Sequence, residues 1–166
     1  MEELALYILD IVENAFRAGA SLVQVDIKEN PEKNEYSLII TDNDLSHHEK
    51  KFGLGLSMVK EAALLTGGTF SYETIKDNGT RLQAVLKYDS PDRPELGDIE
   101  GTFSLLIASH PKCDYVYNHT TPHGQFNLDT RDIKKLFVSN ELGIPAVRHS
   151  IKGYIRDNLT MIKASL

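Results

Sequence analysis

The sequence predicts a fold of the α+β class. Apolar residues recur at helical spacing in two early segments, and runs with the alternation of β-strands follow each of them. The chain has 166 residues, of which 41% are hydrophobic and 25% charged. This composition is that of a globular protein, and the length suits one domain or one domain with a small addition.

Residues 2–18 predict the first helix, which Gly19 ends as a C-terminal glycine does. Strand-like alternation then covers residues 21–28 and 35–42, and the turn-rich segment ENPEKN joins the two runs. The apolar residues at helical spacing in the first helix are Leu4, Ile8, Ile11, Val12, Ala15 and Phe16.

Residues 54–66 predict a second helix that ends at Gly67 and Gly68. The runs 69–75 and 80–88 predict a hairpin around KDNG, because Asn-Gly favours a tight turn with positive φ.

The segment DSPDRPELG (89–97) shifts to proline and charge, so we place a boundary there. Residues 1–90 then form one domain and residues 91–166 a small α+β module. The elements predicted in that module are a helix at 98–109, strands at 114–119 and 125–130, and a closing helix at 144–163 with Ile144, Val147, Ile151, Ile155, Leu159 and Ile162 on one side.

Charge and composition exclude several classes of partner. The formal net charge is −6, and no basic stripe is present, which argues against binding along a nucleic-acid backbone. The apolar runs are too short for a membrane helix, and the acidic N-terminus does not resemble a signal peptide, so we expect a cytoplasmic protein. Cys113 is the single cysteine, which excludes an internal disulfide and predicts a small buried apolar residue.

Polar residues follow one face of the first helix: Asp10, Glu13, Asn14 and Arg17. They are either a solvated face or a cation site, since carboxylate and amide oxygens hold Mg²⁺ well. A carboxylate one turn from such a site could also orient or deprotonate a water. Spacing alone does not choose between these.

Gly53 and Gly55 open the second helix. Glycines at a helix start allow close approach to backbone N–H groups, and the helix dipole favours an anion there, so the segment is a candidate phosphate site. Glycines at this position also serve simple turns. The segment is neither a Walker loop nor a dinucleotide fingerprint.

Four segments, taken in order, resemble the GHKL (Bergerat-fold) ATPase superfamily, which includes type II topoisomerases, histidine kinases and mismatch-repair ATPases. LDIVENAFRAGAS (9–21) resembles the first motif, IITDN (39–43) the second, GLGLSMVKEAALLTGG (53–68) the glycine motif of histidine kinases, and NGTRLQAVL (78–86) the last. The resemblance implies a two-layer α/β sandwich with a mixed sheet and helices on one face.

The same resemblance implies ATP and Mg²⁺ as ligands. Asp42 would contact adenine and Thr80 would support it. Asn14 would ligate Mg²⁺ through the phosphates, and Asp10 takes the place of the water-activating glutamate. Backbone amides at Gly53 and Gly55 would reach the phosphates.

The chain is also similar to small stand-alone ATP-binding proteins encoded near iron-only hydrogenase genes in anaerobic bacteria. LALYILDIVENAFRAGAS and RPELGDIEGTFSLLIA carry that similarity. We expect a histidine-kinase-like protein that binds Mg-ATP as a regulatory ligand or slow substrate, together with a protein partner. The alternatives are a degenerate interaction module that has lost nucleotide affinity and, third, a serine kinase of the anti-sigma type.

The sequence departs from the superfamily in three places. Asp44 and Ser46 replace two glycines of the second motif, where a position with positive φ hinders other residues. Asp10 is one methylene shorter than glutamate, which draws a general base away from its water. Only residues 44–52 remain of the long lid, too few to cover a triphosphate.

Further histidine, lysine and aspartate residues lie in the segment 47–51 and in the second module. His47 and His48 are adjacent and predict a solvated loop rather than a metal site. Lys50 and Lys51 are either solvated or a replacement for part of the lid at the phosphates. In the second module, His110, His119, His123 and Asp114 fit no metal-ligand spacing, and we expect surface polar residues there.

Overall fold

The computed structural model describes residues 3–44, 53–75, 79–138 and 141–166. Within them lie six strands and five α-helices, which confirms the predicted α+β class. In chain order the elements are α1 (Leu4–Ala18), β1 (Leu22–Asn30), β2 (Glu35–Asp42), α2 (Leu54–Leu65), β3 (Thr69–Ile75), β4 (Gly79–Lys87), α3 (Ile99–Ser109), β5 (Asp114–Thr121), β6 (Gly124–Asp129), α4 (Thr130–Leu136) and α5 (Pro145–Met161).

The six strands form one mixed sheet in the order β3-β4-β2-β1-β5-β6. The β1–β5 pair is parallel, and the other neighbours are antiparallel. Along β2 every second side chain is buried and the alternate ones are partly exposed. Such one-sided burial is typical of a sheet covered by helices on one face. The predicted two-layer α/β sandwich is therefore confirmed.

Two glycines end the helices that were predicted to stop at them. Gly19 has a φ of 116° and caps α1, and its N–H donates to the carbonyl of Phe16. Gly67 has a φ of 78° directly after α2. Residues with a side chain rarely adopt such positive φ angles, so the glycines fix both helix ends.

The segment beyond residue 97 completes the same sheet. β5 pairs with β1 from Leu22 opposite Asp114 to Lys28 opposite Thr120. Buried residues on both sides of the boundary belong to one hydrophobic cluster. The segment 89–97 thus joins β4 to α3 within a shared core. The division into an ATP-binding domain (1–90) and a module (91–166) stays a prediction about where the function lies.

The short helix α4 was not among the predicted elements, and the preceding strand was predicted to extend to residue 130. The strand β6 ends at Asp129, whose carboxylate accepts a hydrogen bond of 3.0 Å from the backbone N–H of Arg131. An aspartate that binds the second N–H of a helix is an N-terminal cap. The cap turns the chain from strand to helix at Thr130.

His119 is fully buried, so the expectation of a surface residue was wrong. One ring nitrogen lies 2.6 Å from the hydroxyl of Tyr117, and the other lies 2.6 Å from a carboxylate oxygen of Glu29. The backbone N–H of Ser165 donates to Glu29 at 3.0 Å. We call these four residues the Glu29 network. It fastens β1, β5 and the segment after α5 to each other.

The closing helix α5 has the predicted apolar side. Ile151, Ile155 and Leu159 are buried, whereas Ile144, just before the helix, is 45% exposed. Among the helices of the described segments, none combines the length and the apolar character needed to span a bilayer. Cys113 is only partly buried, and burial raises the pKa of its thiol.

Candidate functional site

The polar face of α1 divides between two neighbours. Asp10 and Asn14 face the start of α2. Glu13 instead lies 3.0 Å from a ring nitrogen of His110, just after α3, and 3.5 Å from the guanidinium of Arg17. The four residues of the stripe therefore do not act as one set. Asp10 and Asn14, which the resemblance assigns to ATP, are the two residues that contact Gly53 and Gly55.

At the start of α2, four residues form what we call the helix-start cluster: Asp10, Asn14, Gly53 and Gly55. The backbone N–H of Gly55 donates to Asp10 Oδ2 at 2.7 Å, and the side-chain amide of Asn14 lies 3.4 Å from the same oxygen. The cluster brings together residues about 40 positions apart in the chain.

Gly55 is required by close packing against backbone rather than by positive φ, whereas a side chain at Gly53 would have to displace the ends of the Asn14 and Asp10 side chains. A Cβ on Gly53 would lie 2.3 Å from the amide nitrogen of Asn14. A Cβ on Gly55 would lie 2.6 Å from the carbonyl oxygen of Tyr7 and 2.8 Å from Asp10 Oδ2. Contacts below 3.0 Å force the neighbouring atoms to move. The absence of side chains lets α1 bring its polar groups onto the helix start.

Asp42 and Thr80 lie opposite each other at the ends of β2 and β4. The hydroxyl of Thr80 donates to Asp42 Oδ2 at 2.5 Å, and both side chains are buried. Gly79 has a φ of 90°, and a Cβ there would lie 1.9 Å from the carbonyl oxygen of Asp42. These residues, with Asp44, form what we call the strand-end cluster. It holds a buried carboxylate at a fixed position.

Asp44 occupies the place of a motif glycine without strain. Its backbone is not in the positive-φ region, so the expected steric hindrance does not arise. Its N–H donates to Asp42 Oδ1 at 3.0 Å, and its side chain is buried. The turn is held by Asn43, whose side-chain oxygen accepts from the backbone N–H groups of Ser21 and Leu22 at 2.9 and 3.0 Å. Asn43 is a structural residue that spacing did not single out.

Both clusters contact α1, at different positions along the helix. Asp44 Oδ1 lies 3.8 Å from the Cβ position of Gly19, the residue that ends this helix. Asn14 precedes Gly19 by five residues, which corresponds to about 7–8 Å along a helix axis. All of the shortened lid (44–52) after Asp44 lies outside the described residues, and this part includes Ser46, His47, His48, Lys50 and Lys51.

The polar groups of the two clusters are of the kinds that a nucleotide and its cation require. The amide nitrogen of Asn14 lies 3.4 Å from Asp10 Oδ2, so a side-chain amide and a carboxylate lie side by side, and oxygens of these two groups are ligands that Mg²⁺ prefers. Asp42 supplies a buried acceptor for an amine. The N–H of Gly55, which the resemblance assigns to a phosphate, is already bonded to Asp10.

The fold and these clusters together define a two-layer α/β sandwich with two polar clusters associated with one helix. Comparison with solved structures finds the Aquifex aeolicus MutL ATPase domain complexed with ADP. The TM-score is 0.43 and the sequence identity 14%, over 86% of this chain and 68% of that chain. No protein-family model and no curated protein sequence matches this chain.

Proposed function

We propose that this protein binds ATP with Mg²⁺ between α1, the start of α2 and the ends of β2 and β4. The observation that carries the proposal is the packing of Asp10 and Asn14 directly against Gly53 and Gly55. A solvated face of α1 would not need glycines opposite it. The order of the four sequence motifs, with their resemblance to histidine-kinase-like GHKL domains, supplies the identity of the ligand.

Each end of the nucleotide has its own set of residues in this proposal. Asp42 accepts the adenine amino group while Thr80 holds the carboxylate in place. Asn14 ligates Mg²⁺, which when bound neutralises phosphate charge. The amides at Gly53 and Gly55 face the phosphates at the positive end of the α2 dipole.

We propose a regulatory ligand or slow substrate rather than a fast ATPase. Asp10 is the candidate general base, yet its Oδ2 is held by the Gly55 amide at 2.7 Å. A base must reach the proton of its water within hydrogen-bonding distance. If ATP hydrolysis is measurable, Asp10→Ala should abolish it; an unchanged rate would remove Asp10 from this role.

The second candidate is a degenerate GHKL domain that acts as a protein-interaction module. One observation favours it: the N–H of Gly55, which the resemblance assigns to a phosphate, already donates to Asp10 at 2.7 Å. A helix start that is already capped by a carboxylate has less need of a phosphate. In that case a protein partner would be the functional ligand.

Isothermal titration with ATP and Mg²⁺ separates the two candidates. Binding at millimolar nucleotide or tighter is expected for the first, and its absence would support the second. Asp42→Asn should weaken binding roughly tenfold or more, because the acceptor for the amine loses its charge. Asp92→Asn, which removes one charge from an exposed position, is the matched control and should leave affinity unchanged. Equal affinities for the two variants would place adenine elsewhere.

A further inference from the structure

The helix α2 takes its N-terminal cap from another helix. Its own N-cap residue is Gly53, which has no side chain to offer, and its first turn contains no acidic residue. The first N–H groups of a helix need acceptors, and an anion there is favoured by the dipole. Asp10 of α1 fills this role with its 2.7 Å bond to the N–H of Gly55.

The carboxylate of Asp10 lies where a phosphate oxygen would be held in the proposed function. Asp10 Oδ2 is 2.8 Å from the Cβ position of each glycine, at the mouth of the helix. A phosphate that approached the same N–H would meet a negative charge at short range. Two anions that approach one donor repel each other, and a cation between them relieves that repulsion.

We propose that Asp10 is an internal anion that competes with nucleotide phosphate for the start of α2. The proposal rests on the nucleotide-binding function. In the resting protein Asp10 caps the helix and lowers affinity for a nucleotide without metal. A divalent cation removes the conflict, since Mg²⁺ can lie between a carboxylate and a phosphate. The charge of Asp10 thereby makes nucleotide binding depend on Mg²⁺.

The test compares ADP affinities with Mg²⁺ and with a chelator, by isothermal titration. Asp10→Asn keeps an acceptor for the Gly55 N–H and removes the charge, so it should bind metal-free ADP about tenfold more tightly than the unaltered protein. It should also gain less from Mg²⁺. Glu13→Gln is the matched control, because Glu13 lies one turn away on α1 and pairs with His110 instead.

A second measurement needs no nucleotide. Hydrogen exchange of the Gly55 amide should be slow in the unaltered protein and at least tenfold faster in Asp10→Ala, which lacks the cap. Glu13→Gln should leave this amide unchanged. An equally slow Gly55 amide in Asp10→Ala would overturn the capping role.

The outcomes distinguish the two proposals. If the unaltered protein binds ADP and Asp10→Asn binds metal-free ADP no more tightly, the competition is overturned while the nucleotide site stands. If Glu13→Gln raises the affinity for metal-free ADP as much as Asp10→Asn does, the gain comes only from the general charge of α1, and the competition is again overturned. If ADP binds neither protein with or without Mg²⁺, the proposed function fails and the competition with it.

Discussion

The helix-start cluster and the Glu29 network each contain a carboxylate held by hydrogen bonds, yet they are closed in different ways. In the Glu29 network both oxygens of Glu29 have protein partners, among them His119 and Ser165, and the residue is 3% exposed. Asp10 is half-buried, and its described bonds end on one oxygen. A carboxylate surrounded by the protein serves stability. A partly exposed carboxylate that caps a helix, as Asp10 does, can give up its protein partner when a ligand binds.

The largest expected effect comes from opening the Glu29 network. His119→Ala removes the ring nitrogen that pairs with the buried Glu29 carboxylate, and breaking a buried pair in this way typically costs about 3 kcal/mol or more. Denaturant unfolding measures the loss, and ATP affinity of the folded fraction should not change. Lys28→Gln, at an exposed position on the same strand, is the control and should shift stability by less than about 0.5 kcal/mol. A loss below about 1 kcal/mol for His119→Ala would mean that the network is not structural.

Gly55→Ala should have an intermediate effect on stability and a large effect on binding. Its Cβ would meet the Tyr7 carbonyl at 2.6 Å, so α2 must shift, at a cost of about 1–3 kcal/mol. ATP affinity should fall more than tenfold. Thermal unfolding and titration calorimetry measure the two.

Gly153→Ala supplies the matched control for Gly55→Ala. Gly153 lies inside α5, and a Cβ there meets nothing within 4 Å. Alanine should therefore stabilise that helix by about 0.5–1 kcal/mol without altering ATP binding. If Gly55→Ala behaved in the same way, the close packing at the helix start would be refuted.

The smallest expected effect is on the pH dependence of folding stability. It involves Asp129, the N-cap residue of α4, which belongs to neither the helix-start cluster nor the Glu29 network. Hydrogen bonds from Arg131 lower the pKa of Asp129. The folded state therefore gains stability above the unfolded pKa of about 3.9, and this gain is lost as pH falls through the lower, folded value. Arg131→Gln should lower the free energy of unfolding slightly near pH 7, and the difference from the unaltered protein should vanish at about pH 2. A difference that persists in acid would point to packing instead of charge.

Most elements of the fold follow from local sequence patterns. Gly19 and Gly67 mark helix ends, and alternation marks the strands, because those signals lie within a few residues. The parallel pairing of β1 with β5 has no local signal, since Leu22 and Asp114 are partners 92 positions apart. The burial of His119 did have a local signal, because His119 follows Tyr115 and Tyr117 at alternate positions of one strand.

The members of the helix-start cluster were predictable from the sequence, but their hydrogen bonds were not. Motif order selected Asp10, Asn14 and Gly55, which the fold does bring together. That Asp10 caps α2 depends on the distance between two helices, which spacing along one helix does not contain. The steric hindrance expected at Asp44 is absent because its φ is not positive, and a turn without positive φ accepts residues other than glycine.

The parallel pairing of β1 with β5 also bears on how the protein is made. Until residues near Asp114 leave the ribosome, β1 has a neighbour on one side only, and its other edge is open to pairing with foreign chains. The nascent protein therefore carries an exposed strand edge until β5 has been made. Slow translation before β5 should favour aggregation, and a chaperone that shields strand edges should reduce it.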